Sequence, residues 1–374
     1  MTQQNSHGNQ IQDIPQTGFF GHPRGLGVLF FVEFWERFSY YGMRALLIFY
    51  MYFAVTDNGL GIDKTTAMSI MSVYGSLIYM TSIPGGWIAD RITGTRGATL
   101  LGAVFIIIGS VVLAIVLIIV IGALTNSLSF NLVSNTVLVL GIALPIIYFT
   151  LIIRSKDVTD TERSRVKAFI PLFILGMVFW AIQEQGSNVL NIYGIEHSDM
   201  KLNLFGWKTN FGEAIFQSIN PLFILLLAPI ISLLWQKLGT KQPSLPVKFA
   251  IGTFLAGASY ILIGIVGYAS GSSNFSVNWV ILSYIICVIG ELCLSPTGNS
   301  AAVKLAPKAF NAQMMSIWYL TNASAQAING TLVKLIEPLG QTNYFIFLGV
   351  VAIIVTTIVL AFSPLIIKAM KGIR

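Results

Sequence analysis

Six polar or ionisable residues recur at helical spacing within one apolar segment near the start of the chain, namely Glu33, Glu36, Arg37, Tyr40, Tyr41 and Arg44. Their spacing of i, i+3, i+4, i+7, i+8 and i+11 places all six on one face of a helix. Charged groups in hydrocarbon are costly, and they persist when they pair with each other or line a water-filled cavity. We therefore predict a proton site and a charged-substrate site here, with a charge-paired structural stripe as the alternative.

Two further acids, Glu184 and Glu291, lie deep in apolar segments without a Lys or Arg within one turn of their own helices. Each needs a cation from another helix, a proton or the ammonium group of a substrate. Asn220 opens another apolar segment, and Trp318 and Asn322 form an i, i+4 pair. A single asparagine in a membrane helix is more often an interhelical contact than a ligand, so packing remains the alternative for both asparagines.

The composition excludes a water-soluble protein. The 374 residues are 55% hydrophobic and only 10% charged, with a mean hydropathy of +0.76, whereas soluble domains carry roughly 25% charged residues. Apolar runs such as 100–122 and 344–367 favour membrane-spanning helices over the ten-residue alternation of a membrane β-barrel. The sequence therefore predicts an all-α polytopic membrane protein.

Counting apolar runs between polar breaks predicts about ten membrane spans. They are residues 26–55, 66–89, 98–122, 132–153, 168–192, 213–236, 248–270, 276–300, 311–336 and 342–367. Residues 1–25 are expected to form a cytoplasmic lead-in, because residues 1–20 are polar and lack the basic and apolar regions of a secretory signal.

The distribution of Lys and Arg predicts the orientation of these spans. With the amino terminus inside, 16 of the 22 Lys and Arg residues fall on the inner side, and four fall on the outer side. By the positive-inside rule, both termini are cytoplasmic and the protein is a multi-pass protein of the cell (inner) membrane. The basic residues flank spans and form no continuous patch, so the net charge of +7 does not indicate nucleic-acid binding.

Cysteine and histidine usage predicts neither a disulfide nor a metal site. Cys287 and Cys293 lie six positions apart in one apolar run and are expected to fill space. The histidines, His7, His22 and His197, lie in three separate polar segments. No metal or cofactor is therefore expected.

The segment from Glu33 to Arg44 also carries a resemblance to a known family. Its sequence, EFWERFSYYGMR, resembles the E-x-x-E-R-F-x-Y-Y-G signature of the proton-dependent oligopeptide transporter family, which belongs to the major facilitator superfamily. Segments 179–187, 216–221, 290–296 and 304–318 support it. The resemblance thus extends over both halves of the chain and implies a major facilitator-type helical bundle.

The resemblance also implies roles for the matching positions. Those implied for proton coupling are Glu33, Glu36 and Arg37, with Glu36 as the protonated residue. Those implied for peptide binding are Tyr40, Tyr41, Arg44, Tyr79, Trp180, Glu184, Asn220, Glu291, Trp318 and Asn322.

Within this set, the resemblance implies that Arg37 and Arg44 serve the peptide carboxylate or gate salt bridges. Glu291 would meet the peptide amino terminus. Gln183 and Asn322 depart from relatives, which often have an acid and a serine at these positions, and the departure puts selectivity in question.

A larger departure concerns the number of spans, because family members have twelve core spans. Here the third span is followed almost directly by a helix that resembles the second inserted helix of bacterial members, and core spans four to six are missing together with most of the first inserted helix. We therefore divide the chain into a lead-in (1–25), an incomplete amino-terminal half (26–122), an inserted helix with a cytoplasmic linker (123–167) and a six-helix carboxy-terminal half (168–374). Four missing crossings, an even number, leave the orientation of the remaining spans unchanged.

The resemblance implies proton-coupled symport of di- and tripeptides into the cytoplasm, driven by the proton gradient and without a cofactor, by a monomer in the lipid bilayer. A truncated, non-transporting remnant or scaffold is the alternative. A membrane enzyme is disfavoured, because the sequence contains no nucleophile–base constellation and no metal-ligand spacing.

Overall fold

The computed structural model describes residues 27, 31, 44, 47–57, 59–94, 97–98, 100–102, 130–204, 207–210, 215–271 and 273–373. Residues 47–52 are helical, as is Arg44. The helices that follow are α1 (Lys64–Met80), α2 (Ser82–Ile88), α3 (Phe130–Arg154), α4 (Asp160–Gln185), α5 (Asn191–His197), α6 (Ile215–Leu238), α7 (Leu245–Ser270), α8 (Val277–Leu305), α9 (Asn311–Leu332), α10 (Ile336–Leu339), α11 (Gln341–Ala361) and α12 (Ser363–Ala369). Ala89–Thr93 and Gly186–Leu190 form π-helical turns.

Four short strands pair outside the helices. They are β1 (Ser198–Asp199), β2 (Lys201–Leu204), β3 (Trp207–Asn210) and β4 (Phe275–Ser276). β1 and β4 pair in parallel, and β2 and β3 form an antiparallel pair in which Lys201 lies opposite Asn210. The strands lie at helix ends, so the architecture remains that of a helical bundle.

Six helical stretches among the described residues are long and apolar enough to cross a membrane. They are Val133–Arg154, Asp160–His197, Ser218–Lys241, Leu245–Ser270, Val277–Leu305 and Gln341–Ala361. Each overlaps a predicted span. The last ends at Ala361, where the prediction continued to 367, because the chain turns at Phe362 and restarts as α12 with a proline in its first turn.

Two predicted spans look different in the structure. The segment 66–89 is divided between α1 and α2 at Thr81, three residues before Pro84. The segment 311–336 contains α9, in which seven of the fifteen buried residues are polar. Such a helix can be polar because neighbouring helices, rather than lipid, surround it. The predicted spans 26–55 and 98–122 lie largely outside the described residues.

Small residues let α9 pack closely against α1, α2 and α3. A Cβ atom on Gly75 would lie 2.2 Å from Gln326 Nε2, and one on Gly86 would lie 2.0 Å from Ser316 Oγ. Ser76 Oγ donates a hydrogen bond of 2.7 Å to the Ala323 carbonyl. Small residues and interhelical hydrogen bonds are the usual means of helix association in membranes, where burial from water does not drive packing.

The segments predicted to lie on the inner side meet at one end of the bundle. Thr159 and Glu162 form a capping box at the start of α4, and Glu162 Oε1 also accepts a hydrogen bond of 3.0 Å from the Lys308 amide. Ser164 Oγ donates to the Ala369 carbonyl at 2.8 Å. The linker before α4, the start of α9 and the end of α12 lie together here. We call this the basic end, because these are segments that the Lys and Arg distribution assigns to the inner side.

Candidate functional site

A buried ion pair joins the amino-terminal segment to the carboxy-terminal half. Arg44 Nη1 lies 2.5 Å from Glu184 Oε2, and the two side chains are 1% and 7% exposed. The sequence predicted that Glu184 needs a cation from another helix, a proton or the ammonium group of a substrate, and in the structure the cation Arg44 contacts it. A cation and an anion that are both removed from water stabilise each other only when further hydrogen bonds satisfy the remaining polar atoms.

Helix α9 supplies such hydrogen bonds to the Glu184 carboxylate. Asn322 Nδ2 donates to Oε1 at 2.8 Å, and Gln326 Nε2 donates to Oε2 at 3.1 Å. Asn322 and Gln326 are one turn apart on the buried face of α9. The Glu184 carboxylate thus contacts Arg44 from the amino-terminal segment and two amides from α9. In this structure the Asn322 amide binds Glu184.

The backbone changes geometry immediately after Glu184. Helix α4 ends at Gln185 and continues as the π-helical turn Gly186–Leu190. Tyr284 Oη donates to the Gly186 carbonyl at 2.5 Å, and Ser187 Oγ donates to the Glu184 carbonyl at 3.0 Å. π-Helical turns within α-helices occur frequently at functional sites, and this turn lies next to the ion pair.

The second predicted acid, Glu291, lies on α8 and accepts hydrogen bonds from two other helices. Gln183 Nε2 donates to Glu291 Oε2 at 2.7 Å, and Asn220 Nδ2 donates to the same oxygen at 3.3 Å. Cys287 Sγ donates to Gln183 Oε1 at 2.8 Å, which orients the amide. An acid in place of Gln183 would repel the Glu291 carboxylate, whereas the neutral amide donates a hydrogen bond to it.

A narrow cavity lies beside the Arg44–Glu184 pair and the two amides that donate to Glu291. The side chains around it are Arg44, Gln183, Glu184, Ser187, Phe216, Asn220 and Tyr284. Its volume is about 30 Å³, far below the roughly 300–1,000 Å³ of cavities that bind small molecules. The cavity between Arg44 and Asn220 therefore has no room for a peptide while Arg44 and Glu184 are joined.

The described aromatic residues of the predicted site, Tyr79, Trp180 and Trp318, do not line this cavity. Trp318 is buried, and its ring is 5.7 Å from that of Phe249 in an edge-on arrangement. A Cβ atom on Gly298 would lie 2.2 Å from the Trp318 ring. Trp180 is half-buried against Phe179, and Tyr79 is half-buried near the end of α1. Neither tryptophan lines the narrow cavity.

The remaining predicted site residues, Glu33, Glu36, Arg37, Tyr40 and Tyr41, lie outside the described residues. Their roles in proton coupling and peptide binding stay predictions. Among the residues that the structure describes, no group of three or more His, Cys, Asp or Glu side chains is arranged to hold a metal ion.

Two contacts between the segments were not predicted from the sequence. At the end of the bundle opposite the basic end, the Lys64 ammonium contacts the Glu196 carboxylate, which also accepts a hydrogen bond of 3.4 Å from Gln341 Nε2. At the basic end, Asp90 accepts hydrogen bonds from the backbone amides of Ala312 (3.0 Å) and Gln313 (2.8 Å). The Asp90 carboxylate thereby caps α9 and lies where the positive end of the helix dipole favours an anion.

These contacts share one property, which is that each joins the amino-terminal segment to the carboxy-terminal half. Lys64, Arg44 and Asp90 lie at one end, in the centre and at the other end, and each contacts a helix that follows residue 159. A sequence signal existed for Asp90, which precedes a Gly-containing basic turn, but its partner amides belong to a helix more than 200 positions away.

Helical bundles in which charged residues join two halves are typical of membrane transporters. Comparison with known protein families and structures identifies the family of this chain. The sequence profile of the POT family matches residues 91–346. The chain belongs to the POT family of peptide transporters, with the major facilitator-type helical fold, and is not an enzyme.

Relatives and solved structures match along nearly the whole chain. An uncharacterized transporter of Bacillus subtilis, YclF, is 37% identical over 97% of this chain and 98% of its own length. A di-/tripeptide transporter of Lactococcus lactis subsp. cremoris is 33% identical over 95% and 98%. A POT family transporter solved with 5-aminolevulinic acid has a TM-score of 0.84 and 59% identity, with 95% of this chain and 99% of that chain covered.

The first of these alignments shows that the chain is shorter internally. It extends over 486 positions, which is 112 more than the 374 residues of the chain. At least 112 positions of the alignment are therefore gaps in this chain. Because nearly all of both proteins is covered, the chain lacks an internal stretch that YclF possesses.

Proposed function

We propose that the site serves proton-coupled symport of di- and tripeptides into the cytoplasm by alternating access. The observation that carries this proposal is one narrow cavity lined by the Arg44–Glu184 pair and by Gln183 and Asn220, the two amides that donate to the Glu291 carboxylate. A peptide in water is a zwitterion, and its two termini need one anionic and one cationic anchor. Arg44 and Glu291, from opposite halves, supply them.

Substrate binding in this proposal replaces protein contacts by peptide contacts. The peptide amino group displaces the neutral amides of Gln183 and Asn220 from Glu291, because a charge-assisted hydrogen bond is stronger than a neutral one. The peptide carboxylate competes with Glu184 for Arg44. The tyrosines Tyr40, Tyr41 and Tyr79 contact the peptide backbone, and Trp180 and Trp318 shape the surrounding wall.

Proton coupling is proposed for Glu33, Glu36 and Arg37, with Glu36 as the protonated residue. Protonation of Glu36 releases Arg37, which can then act on the substrate carboxylate. Arg44 lies two turns further along the same predicted helix face as Arg37, so the state of Glu36 and the Arg44–Glu184 pair are linked through one element.

Alternating access in this proposal requires the contacts at the two ends to break in turn. Opening at the end with Lys64 separates the Lys64 ammonium from Glu196. Opening at the basic end separates Asp90 from the first turn of α9. Both contacts are present together with the Arg44–Glu184 pair, which corresponds to a closed state in this scheme.

We propose the orientation from charge. The basic end is cytoplasmic by the positive-inside rule, both termini lie on that side, and the protein is a monomer in the inner membrane. The contacts of Glu162 with Lys308 and of Ser164 with Ala369 support a common side for these segments.

A second candidate function is that of a non-transporting remnant, and the internal gap favours it. A membrane-spanning helix takes about 20 residues, so at least 112 missing positions correspond to about four spans with their loops. The proposed location of the gap is between the span ending at 122 and the helix α3. A cavity wall built from three amino-terminal spans would then be incomplete.

The test is accumulation of a radiolabelled dipeptide in proteoliposomes with an inward proton gradient. A version of the chain with the missing spans restored from a POT relative should accumulate the dipeptide, and an uncoupler should abolish the accumulation. Gradient-independent accumulation by the restored version would refute proton coupling, and no uptake of any di- or tripeptide would refute peptide transport.

A further inference from the structure

A cavity at the basic end lies apart from the peptide site. It is bounded by the loop after α6, the first turn of α7, the last turns of α8 and the segment from α12 to Ile373. Its volume is about 620 Å³, within the range of cavities that bind small molecules. The contacts described for transport involve none of the side chains that line it.

Two lysines from different helices line this cavity, and none of the described residues that line it is acidic. They are Lys248 on α7 and Lys304 on α8. Lys248 Nζ donates to Gln242 Oε1 at 2.7 Å and lies 4.7 Å from the centre of the Trp235 ring. Both of these contacts are with neutral groups. Two like charges beside one cavity repel each other, and an anion between them relieves that repulsion.

Polar groups of the cavity wall add hydrogen-bond donors to the two lysines. Ser300 on α8 and Ser244 before α7 both line the cavity. Ser244 makes no side-chain capping hydrogen bond to the first turn of α7, so its hydroxyl can donate to an anion in the cavity. Hydroxyl groups donate hydrogen bonds to anionic oxygens.

Apolar surface indicates that the anion carries a hydrocarbon chain. Ile367, Met370 and Ile373 form part of the lining. Helix α6, whose loop bounds the cavity, is the least covered of the six apolar helices among the described residues, and only 6% of its most apolar stretch is buried. Leu233 and Leu234 near its end are 55% and 45% exposed. A free phosphate would use the lysines and leave these apolar surfaces without a role.

We propose that this cavity binds the headgroup of an anionic phospholipid. The phosphate lies between Lys248 and Lys304, and the acyl chains extend along the outer face of α6 into the bilayer. Trp235 lies at the boundary between headgroup and hydrocarbon, as tryptophans at membrane interfaces commonly do. Basic pockets between membrane helices on the cytoplasmic side are suited to anionic lipid headgroups.

The test titrates the full chain in neutral detergent with dioctanoyl phosphatidylglycerol and follows binding by calorimetry. The comparison ligands are dioctanoyl phosphatidylcholine, glycerol 3-phosphate and inorganic phosphate. We expect saturable binding of phosphatidylglycerol, and about tenfold or greater weakening in the double variant Lys248→Gln with Lys304→Gln. The matched control is Lys156→Gln with Lys167→Gln, which removes the same charge at the basic end outside the cavity and should leave the affinity unchanged.

A variant that keeps the net charge tests whether lipid binding depends on the cavity itself and not only on the overall charge of the protein. Ser300→Leu fills part of the cavity and should weaken phosphatidylglycerol binding while both lysines remain. Equal weakening in the two double variants would overturn the proposal, since the attraction would then be non-specific. Binding of inorganic phosphate as tight as that of phosphatidylglycerol, with the same lysine dependence, would assign the cavity to a soluble phosphate compound and overturn the lipid assignment.

Discussion

Arg44 and Glu184 form an ion pair of 2.5 Å across 140 positions of the chain. The pair joins the predicted first span to the helix that opens the carboxy-terminal half, and Asn322 and Gln326 complete the hydrogen bonds of the carboxylate. A buried pair of this kind couples the position of one segment to the other. Removing one partner leaves the other as an uncompensated buried charge. The pair can therefore favour two states, one with both residues in contact and one with each bound to another group.

The first prediction concerns the stability of this pair. Glu184→Gln should reduce the free energy of unfolding by about 3–5 kcal/mol, because a buried guanidinium loses its counter-ion. The double variant Arg44→Met with Glu184→Leu should be more stable than Glu184→Gln, since no buried charge remains. Unfolding of detergent-solubilised protein, followed by circular dichroism, measures both. Glu337→Gln, at an exposed position, is the control, and a double variant as unstable as Glu184→Gln would contradict the assignment.

The second prediction concerns the cap on α9. Asp90→Ala removes a carboxylate that accepts two backbone hydrogen bonds, so we expect a loss of about 1–3 kcal/mol at this contact and more frequent opening of the basic end. A cysteine at Ser82, the first residue of α2, whose carbonyl accepts a hydrogen bond from Ser316 on α9, should then react faster with a thiol reagent.

The native cysteines provide a low background for this labelling, because both are buried. Asp157→Ala, at an exposed position before α4, is the matched control and should leave the labelling rate unchanged. Unchanged labelling in Asp90→Ala would show that the cap does not hold the two segments together.

The third prediction concerns substrate polarity. In the version with restored spans, Glu291→Gln should weaken binding of peptides with a free amino terminus by about 1.5–3 kcal/mol, the range for a hydrogen bond to a charged group. Peptides with a blocked amino terminus should lose little, because their amide makes no ion pair. Competition against a labelled dipeptide measures both affinities. Equal losses for free and blocked peptides would assign Glu291 a structural role.

The fourth prediction concerns the proton site. In the version with restored spans, Glu36→Gln should abolish accumulation driven by a proton gradient, because an amide does not take up and release a proton. Exchange of labelled for unlabelled peptide across the membrane should be reduced less, since exchange needs no net proton movement. Both rates are measured in proteoliposomes, with Glu337→Gln as the control, and normal accumulation by Glu36→Gln would refute the assignment.

The fifth prediction concerns the internal gap. The 374-residue chain should insert with both termini on the same side but accumulate little or no dipeptide. One wall of its cavity is incomplete, and a charged group facing mid-bilayer lipid costs about 2.5–3.5 kcal/mol on insertion scales. Protease protection of terminal tags measures the topology, and uptake is compared with the restored version. Robust, gradient-dependent uptake by the short chain would show that it is a complete transporter.

The sequence by itself determined the class of protein and most of its helices. Hydropathy predicted the six apolar helices because the bilayer imposes a length and a composition on each span independently of its neighbours. The charges predicted that Glu184 needed a partner, and the motif from Glu33 to Arg44 predicted the POT family, which the comparisons confirm.

Only the tertiary structure decided which groups meet. Pairing of Arg44 with Glu184, Lys64 with Glu196 and Asp90 with the amides of α9 joins positions 132 to 223 residues apart. No local periodicity encodes such contacts, because they depend on how helices from different parts of the chain pack. The surroundings of α9 were also decided by the tertiary structure. Its sequence contains many polar residues for a membrane span, and the structure shows that neighbouring helices surround it. Local physics therefore predicts the helices, whereas the partners of their buried polar side chains follow from packing.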